Sequence, residues 1–429
     1  MRPTAVVMNM YYTGLGIARS LGEAGIPVIG LTAQRRVYGT FTRYAKSVLS
    51  PDSRNEPEAL AGFLLRMGRA MDHRAVLFPT RDDDVVFLDR FREQLEPYFI
   101  LAVPESSVIQ ACLNKFETYL WARRAQVETP KCWLFEDEDE LRHALPDIDY
   151  PCVLKPVASY EWHKGGNWKT VGGRKAVAIG SADELLAEYA VIARANVRIL
   201  LQEMIPGSDD TIWIAACYLD RQSNWVAGFN TRKLLQVPEG FGTGCIVQAA
   251  ERPEIFEPTR RLLQAMRFTG IAEVEYKWDA HKKEYRLIEI NPRPWDQHRL
   301  GKVCGTDLVL LSYCDHAGLP VPPVEPKKSQ HKWIAEDAFF MTALRLLWRR
   351  DPKAGAMFRW ARGRRIYAIW SAADPLPFFA HGLLSVLPQL VAAVFQRMWR
   401  GLSRLPRRRL ATAERGLAHE RTLEKGSHN

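Results

Sequence analysis

The most informative segment is a pair of extended runs, G-I-A-E-V-E-Y-K-W-D at 270–279 and E-Y-R-L-I-E-I-N-P-R at 284–293, joined through Ala280–Lys283. Both read as strands of one hairpin. Side chains of a strand alternate between faces, so Glu273 and Glu275 share one face, and Glu289 and Asn291 share one face of the partner. Cross-strand pairing brings Glu275 near Glu289 and Asn291. Two carboxylates and an amide carbonyl in otherwise apolar strands suit a hard cation such as Mg²⁺, which takes oxygen ligands and completes its shell with water or phosphate oxygens. A solvated strand face with unpaired acids is the competing reading.

Cations lie upstream at ordered positions. Lys115 falls on a helix, Lys155 ends the buried strand Y-P-C-V-L-K, and Arg232-Lys233 end the strand N-W-V-A-G-F-N-T-R-K. Each alone reads as a surface residue; their order relative to the acidic hairpin is what suggests a nucleoside triphosphate, whose phosphates need cations besides the metal. No G-x-x-x-x-G-K-[ST] occurs, so a P-loop is excluded. No nucleophilic triad is visible.

Outward from these residues, 4–105 alternate strand and helix signals. T-A-V-V-M, I-P-V-I-G-L, A-V-L-F-P-T and Y-F-I-L-A-V-P are the strands, with G-I-A-R-S-L-G-E-A-G and E-A-L-A-G-F-L-L-R-M-G-R-A-M as helices. That alternation predicts a parallel sheet covered on both faces. T-G-L-G-I-A-R at 13–19 resembles part of a dinucleotide fingerprint, but Arg19 stands at the third glycine position. A nucleotide loop and a plain tight turn both stay open. From Ser106 the pattern changes. S-S-V-I-Q-A-C-L-N-K-F-E-T-Y-L-W-A-R-R-A-Q reads as one helix and 159–174 as a glycine-rich loop. R-I-L-L-Q-E-M-I is a strand, and T-I-W-I-A-A-C-Y-L-D pairs antiparallel with N-W-V-A-G-F-N-T-R-K-L-L-Q.

Taken in order, L-N-K-F at 113–116, V-E-T-P at 127–130, Y-P-C-V-L-K-P, the glycine-rich loop, L-Q-E-M-I-P-G, T-R-K, G-I-A-E-V-E-Y and L-I-E-I-N-P-R resemble the ATP-grasp superfamily. The match is to its carboxylate–amine ligase branch, which includes D-aspartate ligases and the ATP domains of carbamoyl phosphate synthetase. The resemblance spans roughly residues 4–325. It implies an α/β chain with a Rossmann-like parallel-sheet domain over 1–105 and an ATP-grasp domain over 106–326; residues 327–429 fall outside the resemblance and read from their composition as a basic helical extension. It implies ATP and Mg²⁺ as cofactors and activation of a carboxylate as an acyl phosphate for attack by an amine. By resemblance, Lys115 and Lys155 contact the ATP phosphates. Gln202 or Glu203, with the backbone of Met204 and Ile205, line the adenine pocket, and Asp210 meets the ribose. Lys233 and Arg232 lie toward the terminal phosphates, and Arg293 stabilises the transferring phosphoryl group. Glu275, Glu289 and Asn291 hold one or two Mg²⁺. Residues 159–174 cover the phosphates. Rival outcomes that share these motifs are phosphoryl transfer to a hydroxyl and carboxylation; a non-catalytic, membrane-attached nucleotide-binding scaffold is the rival outside enzymology.

Trp295, Asp296 and His298 in P-W-D-Q-H are open between substrate binding and a packed loop. Glu161, Trp162, His163 and Lys164 are open between substrate contact and a solvated loop, and His316 reads as structural.

The composition fits an ordinary globular protein. Charged residues make up 25% and apolar residues 47% of 429, which excludes global disorder. The net charge of +10 is uneven. Residues 327–429 hold 20 basic and 7 acidic side chains, whereas 1–326 hold 39 and 42. The basic character therefore belongs to the last quarter and does not support nucleic-acid binding by the body. The seven cysteines are scattered and form no C-x-x-C pair, as in reduced cytosolic proteins, and the N-terminus has no signal-peptide pattern. A cytoplasmic enzyme acting on small-molecule or envelope-precursor substrates is expected. Residues 376–409 combine an apolar stretch with Arg397, Arg400, Arg404 and Arg407–Arg409. Three readings stay open for this tail: a peripheral membrane anchor, a helical subdomain packed on the core, and a span interrupted by Pro377, Pro388, His381, Gln389 and Gln396.

Overall fold

A computed structural model describes residues 2–163, 167–170, 172–194 and 198–388. Lys164 and the tail beyond residue 388, with its expected anchor, subdomain or span, lie outside the described residues, as do the side chains of Trp162 and His163. The described residues up to Phe378 form one compact unit, and 379–388 belong to a second.

The first unit contains three sheets. The N-terminal sheet comprises β1 (Ala5–Met8), β2 (Val28–Thr32), β3 (Lys46–Leu49), β4 (Ala75–Phe78) and β5 (Phe99–Leu101), all parallel in the order β3-β2-β1-β4-β5. β1 shows why it sits in the middle. Ala5 and Val7 enter one core, Val6 and Met8 another, and none exceeds 2% exposure. A strand buried on both faces needs the continuous apolar run read in the sequence. β3 escapes that reading because Lys-Ser-Val-Leu is a short, largely uncovered edge. The strand order reverses between β1 and β4, and the crevice beyond their C-terminal ends is the usual binding place in an open parallel sheet.

The second sheet joins β6 (Cys132–Leu134), β7 (Cys152–Pro156), β8 (Val177–Ile179) and β9 (Ile199–Glu203) in the antiparallel order β6-β9-β7-β8. The third joins β10 (Ile212–Leu219), β11 (Trp225–Val237), β12 (Thr243–Ala249), β13 (Gly270–Asp279), β14 (Glu284–Asn291), β15 (Lys332–Ile334) and β16 (Arg365–Tyr367) in the order β14-β13-β10-β11-β12-β15-β16. On β10, Ile214, Ala216 and Tyr218 face the core shared with the N-terminal sheet. Trp213, Ala215, Cys217 and Leu219 enter a second core beneath helix Phe256–Ala265.

Two differences from the sequence reading matter. The helix expected over 106–126 is two helices, Ser106–Leu113 and Lys115–Arg124, because the Asn114 side chain accepts hydrogen bonds from Phe116 N and Glu117 N and starts a new one. The compact body also continues past the boundary expected near Pro326. β15 and β16 extend the central sheet, and Asp374 is clasped by Arg19 at 3.0 Å, both side chains 2% exposed.

That clasp also decides the reading of T-G-L-G-I-A-R. A Cβ on Gly14 would lie 1.8 Å from Asn9 O, and one on Gly16 would lie 2.5 Å from His298 Nε2. Arg19 donates to Asp374 and to Ile369 O. Close packing accounts for Gly14, Gly16 and Arg19.

Candidate active site

The hairpin β13–β14 pairs Glu273 with Asn291 and Glu275 with Glu289. The four side chains share a face because alternation sends Ala272, Val274, Tyr276 and Ile290 into the opposite core. Asn291 Nδ2 lies 3.1 Å from Glu273 Oε2 and 3.4 Å from Glu289 Oε1. Three cations face this group. Lys233 Nζ donates to Glu275 Oε1 at 2.6 Å. Lys155 Nζ donates to Gln202 Oε1 at 2.9 Å, and Gln202 is held by Tyr119 at 2.8 Å. Lys115, the first residue of its helix, donates to Ser159 at 2.9 Å.

Burial would raise the Glu289 carboxyl, but Lys115, Lys233 and Lys155 outweigh it and hold Glu289 below the usual carboxylate range. Glu273 goes the other way. Burial and then the neighbouring Glu275 push it well above that range. Burial, followed by repulsion from Lys115, lowers Lys155 to about 8.

These residues line a cleft of about 430 Å³ whose opposite wall comes from the N-terminal sheet. Thr13 follows β1, and Thr80, Arg81, Asp82 and Asp83 follow β4, so the wall lies at the switch point of that sheet. Arg293 reaches across: its Nε donates to Asp82 Oδ1 at 2.6 Å. Asp84, fully buried, accepts hydrogen bonds from Asn9, Ser53 and the Thr80 and Arg81 backbone, which fixes this rim. Asp296 also lines the cleft and accepts from Thr13 Oγ1 at 2.7 Å; burial raises its carboxyl.

The cleft collects Lys115, Lys155, Lys233, Glu275, Glu289, Asn291 and Arg293. Gln202, Glu203, Met204, Ile205, Asp210 and Arg232 do not line it. Gln202 acts behind Lys155. Glu203 is paired with Arg286 at 2.9 Å, and Ile205 is buried. Arg232 is not at the reaction centre, contrary to expectation. Neighbouring residues of a strand face opposite ways, so with Lys233 in the cleft Arg232 lies over the Trp213 ring and pairs with Asp210 at 2.8 Å. Trp295 stacks on Phe229 and lines the cleft beside Asp296, whereas His298 is buried, its pKa lowered to about 3 by desolvation, and serves packing. His316 is partly buried and hydrogen-bonded to Ser312 O.

Several lining residues carry no sequence signal. Asp82 reads only as a helix-start acid, Lys175 only as the residue that follows the glycine-rich loop, and Arg54 and Arg81 as surface cations. Glu273 was legible by alternation with Glu275 but was not placed among the expected metal ligands.

Comparisons with known proteins bear on the fold. No family model matches the chain. A biotin carboxylase from Campylobacter jejuni, solved as a βγ-ATP complex, superposes with TM-score 0.62 at 16% identity, over 77% of this chain and 74% of that one. An ADP complex of an N5-carboxyaminoimidazole ribonucleotide synthetase gives 0.59 at 16% identity, over 76% and 80%. The chain has the ATP-grasp fold. Among curated relatives, an Enterococcus faecium D-aspartate ligase is 25% identical over 300 residues, 67% of this chain and 69% of the relative. The Enterococcus faecium resistance protein VanA is 24% identical over 189 residues, 40% and 49% of the two chains. Within the ATP-grasp fold, the cleft described above lies between the N-terminal sheet and the central sheet.

Proposed function

We propose that the protein is an ATP-dependent ligase that converts a carboxylate to an acyl phosphate and couples it to an amine, releasing ADP and phosphate. The observation that carries this reading is the convergence of Lys115, Lys155, Lys233 and Arg293 on Glu273, Glu275, Glu289 and Asn291 in one cleft. A carboxylate resists attack by amines because it has no good leaving group, and phosphorylation supplies one. Transfer of a phosphoryl group needs positioning and charge neutralisation more than a protein nucleophile.

The residues fit Mg²⁺ as the accompanying cation. Glu275, Glu289 and Asn291 are hard oxygen donors, since a half-turn of the Asn291 amide exchanges its nitrogen for its oxygen. Among the described residues no three His, Cys, Asp or Glu side chains form a closed cage, which suits an ion that takes its other ligands from phosphates. Bound there, it supplies neutralisation of the phosphate oxygens. The lysines bind and orient the triphosphate, and Arg293 faces the phosphoryl group in transfer. Asp296, at the far wall, is placed to orient the amine.

The longer match to a D-aspartate ligase favours amide formation over carboxylation; a human propionyl-CoA carboxylase alpha chain aligns over only 48% of this chain and 28% of its own length. The substrates we propose are a small-molecule or envelope-precursor carboxylate and amine, handled in the cytoplasm. No helix among the described residues is long and apolar enough to cross a membrane. A screen of amino and carboxylic acids for ADP release, with mass detection of the product, tests the reading. Amide formation supports it, and a carboxylated or phosphorylated hydroxyl product overturns it.

A further inference from the structure

The far wall of the cleft holds a carboxylate that no cation pairs with. Asp296 lines the cleft, accepts one hydrogen bond from Thr13 Oγ1 at 2.7 Å and forms no ion pair among the described residues. The two cations whose charge reaches it, Arg293 and Lys175, are held by Asp82 at 2.6 Å and by Thr243 Oγ1 at 3.1 Å. A buried carboxylate without a cation is costly, and a cationic ligand removes that cost.

Behind Asp296 the corner is acidic. Tyr12 and Thr13 open helix Tyr12–Glu23. Tyr12 donates to Asp337, meets Trp333 edge-on at 5.8 Å and packs on Tyr38 at 5.7 Å. Glu336, next to Asp337, accepts the Ile369 and Trp370 N–H groups. Burial first, with these carboxylates adding to it, keeps both phenols protonated. His298 Nε2 donates to Thr13 O at 3.3 Å, and with a pKa of about 3 the ring brings no positive charge. Burial, with Asp337 in addition, raises the Asp296 carboxyl against Thr13, Arg293 and Lys175, which lower it. Asp337 and Glu336 lie beyond residue 326, outside the ATP-grasp resemblance, so this corner is built by the chain's own extension.

We propose that Asp296 receives the acceptor substrate's primary amine as an ammonium ion and takes the proton whose loss frees the attacking lone pair. This rests on the ligase reading and names the acceptor class, an amine protonated at neutral pH. A divalent cation fits the place less well. It takes about six oxygen ligands, whereas Asp296 is the one carboxylate this corner turns to the cleft, Asp337 and Glu336 facing Tyr12 and backbone N–H groups. In the reaction the ammonium loses one proton to Asp296. The nitrogen bonds to the acyl carbon, the carbon–oxygen bond to phosphate breaks, and the leaving phosphate carries off that electron pair and takes the second nitrogen proton. A carboxylate raised toward the working pH suits the first transfer. Asp337 is a positioning residue: through Tyr12 it fixes the helix start that carries Thr13, and its charge keeps Asp296 basic.

The test compares two nucleophiles on the full-length enzyme: the amine found by the product screen, and hydroxylamine, which is largely unprotonated at neutral pH and needs no base to free its lone pair. Asp296→Asn should lower amide formation at least about 100-fold, the usual worth of a general base, and hydroxamate formation less than about tenfold. Its residual amide kcat should climb about tenfold per pH unit below the amine's pKa, following the free amine, where the wild-type kcat is flat. Asp337→Asn, whose amide oxygen can still accept from Tyr12, should move the acid limb of the amide-forming profile to lower pH, because losing a negative neighbour makes Asp296 easier to ionise. A role in packing alone leaves that limb in place and overturns the part given to Asp337. Equal losses with both nucleophiles in Asp296→Asn, or an unchanged amide rate while hydroxamate still forms, overturn the proposal alone. No hydroxamate from the wild-type enzyme overturns the ligase reading and this proposal with it.

Discussion

Arg293 and Asp82, 211 residues apart, join the two walls of the cleft through a 2.6 Å ion pair. Burial alone would lower the arginine's pKa, and Asp82 more than offsets this. The pair uses Nε, and Nη1 donates to Pro294 O, which fixes the guanidinium plane. Asp82→Asn should leave the KM for ATP little changed while lowering kcat about 10- to 100-fold, the worth of a charge-assisted hydrogen bond of about 1.5–3 kcal/mol. Steady-state kinetics with both substrates varied checks this; equal loss in KM and kcat, or no loss, shows that Asp82 does not position Arg293.

Lys155 gives the cleft a pH dependence. Its pKa of about 8 is set first by burial and then by Lys115. In the free enzyme the ammonium is present below that pH and lost above it. Phosphates favour the ammonium, so ATP binding above pH 8 takes up a proton, and affinity should fall by up to about tenfold per pH unit there. Calorimetry in buffers of different ionisation enthalpy measures the uptake. Lys155→Met should bind ATP weakly and without this slope.

Strand alternation separates two adjacent cations. Lys233→Ala removes the partner of buried Glu275 and a cleft cation, and should lower kcat at least about 100-fold. Arg232→Ala breaks a half-exposed pair with Asp210, worth about 0.2–1 kcal/mol, so kcat should stay within about fivefold. Comparable losses in the two variants would contradict the assignment.

Asp374 holds the end of the compact body to the N-terminal sheet. Besides Arg19 it accepts from Thr42 Oγ1 at 2.6 Å and Arg43 N at 3.0 Å. Asp374→Ala leaves a buried guanidinium without its carboxylate and should cost about 3–5 kcal/mol in urea unfolding. A variant as stable as wild type would show that residues past 367 are not clasped.

The central hairpin was legible because period-two alternation placed apolar residues on one face and Glu273, Glu275, Glu289 and Asn291 on the other. The parallel sheet was legible from runs such as Ala75–Phe78, apolar on both faces. What sequence could not supply was contact at long range. Asp82 meets Arg293, Arg19 meets Asp374, and Gly16 meets His298 only because separate elements converge. Arg232 was misread because its neighbour Lys233 shares its chemistry, and only the strand geometry separates the two. β15 and β16 were missed because Lys-Trp-Ile and Arg-Ile-Tyr are three-residue strands inside a basic, helix-rich stretch.

The most direct test of the ligase reading is chemical trapping. The enzyme is incubated with ATP, Mg²⁺, a panel of carboxylic and amino acids and hydroxylamine in place of the amine. An acyl phosphate formed in the cleft is captured as a hydroxamate. The account predicts hydroxamate and ADP in equal amounts with the true carboxylate, and neither product from Glu289→Gln or Lys155→Ala. ADP formed without hydroxamate, while the natural product is carboxylated or phosphorylated on a hydroxyl, would contradict it.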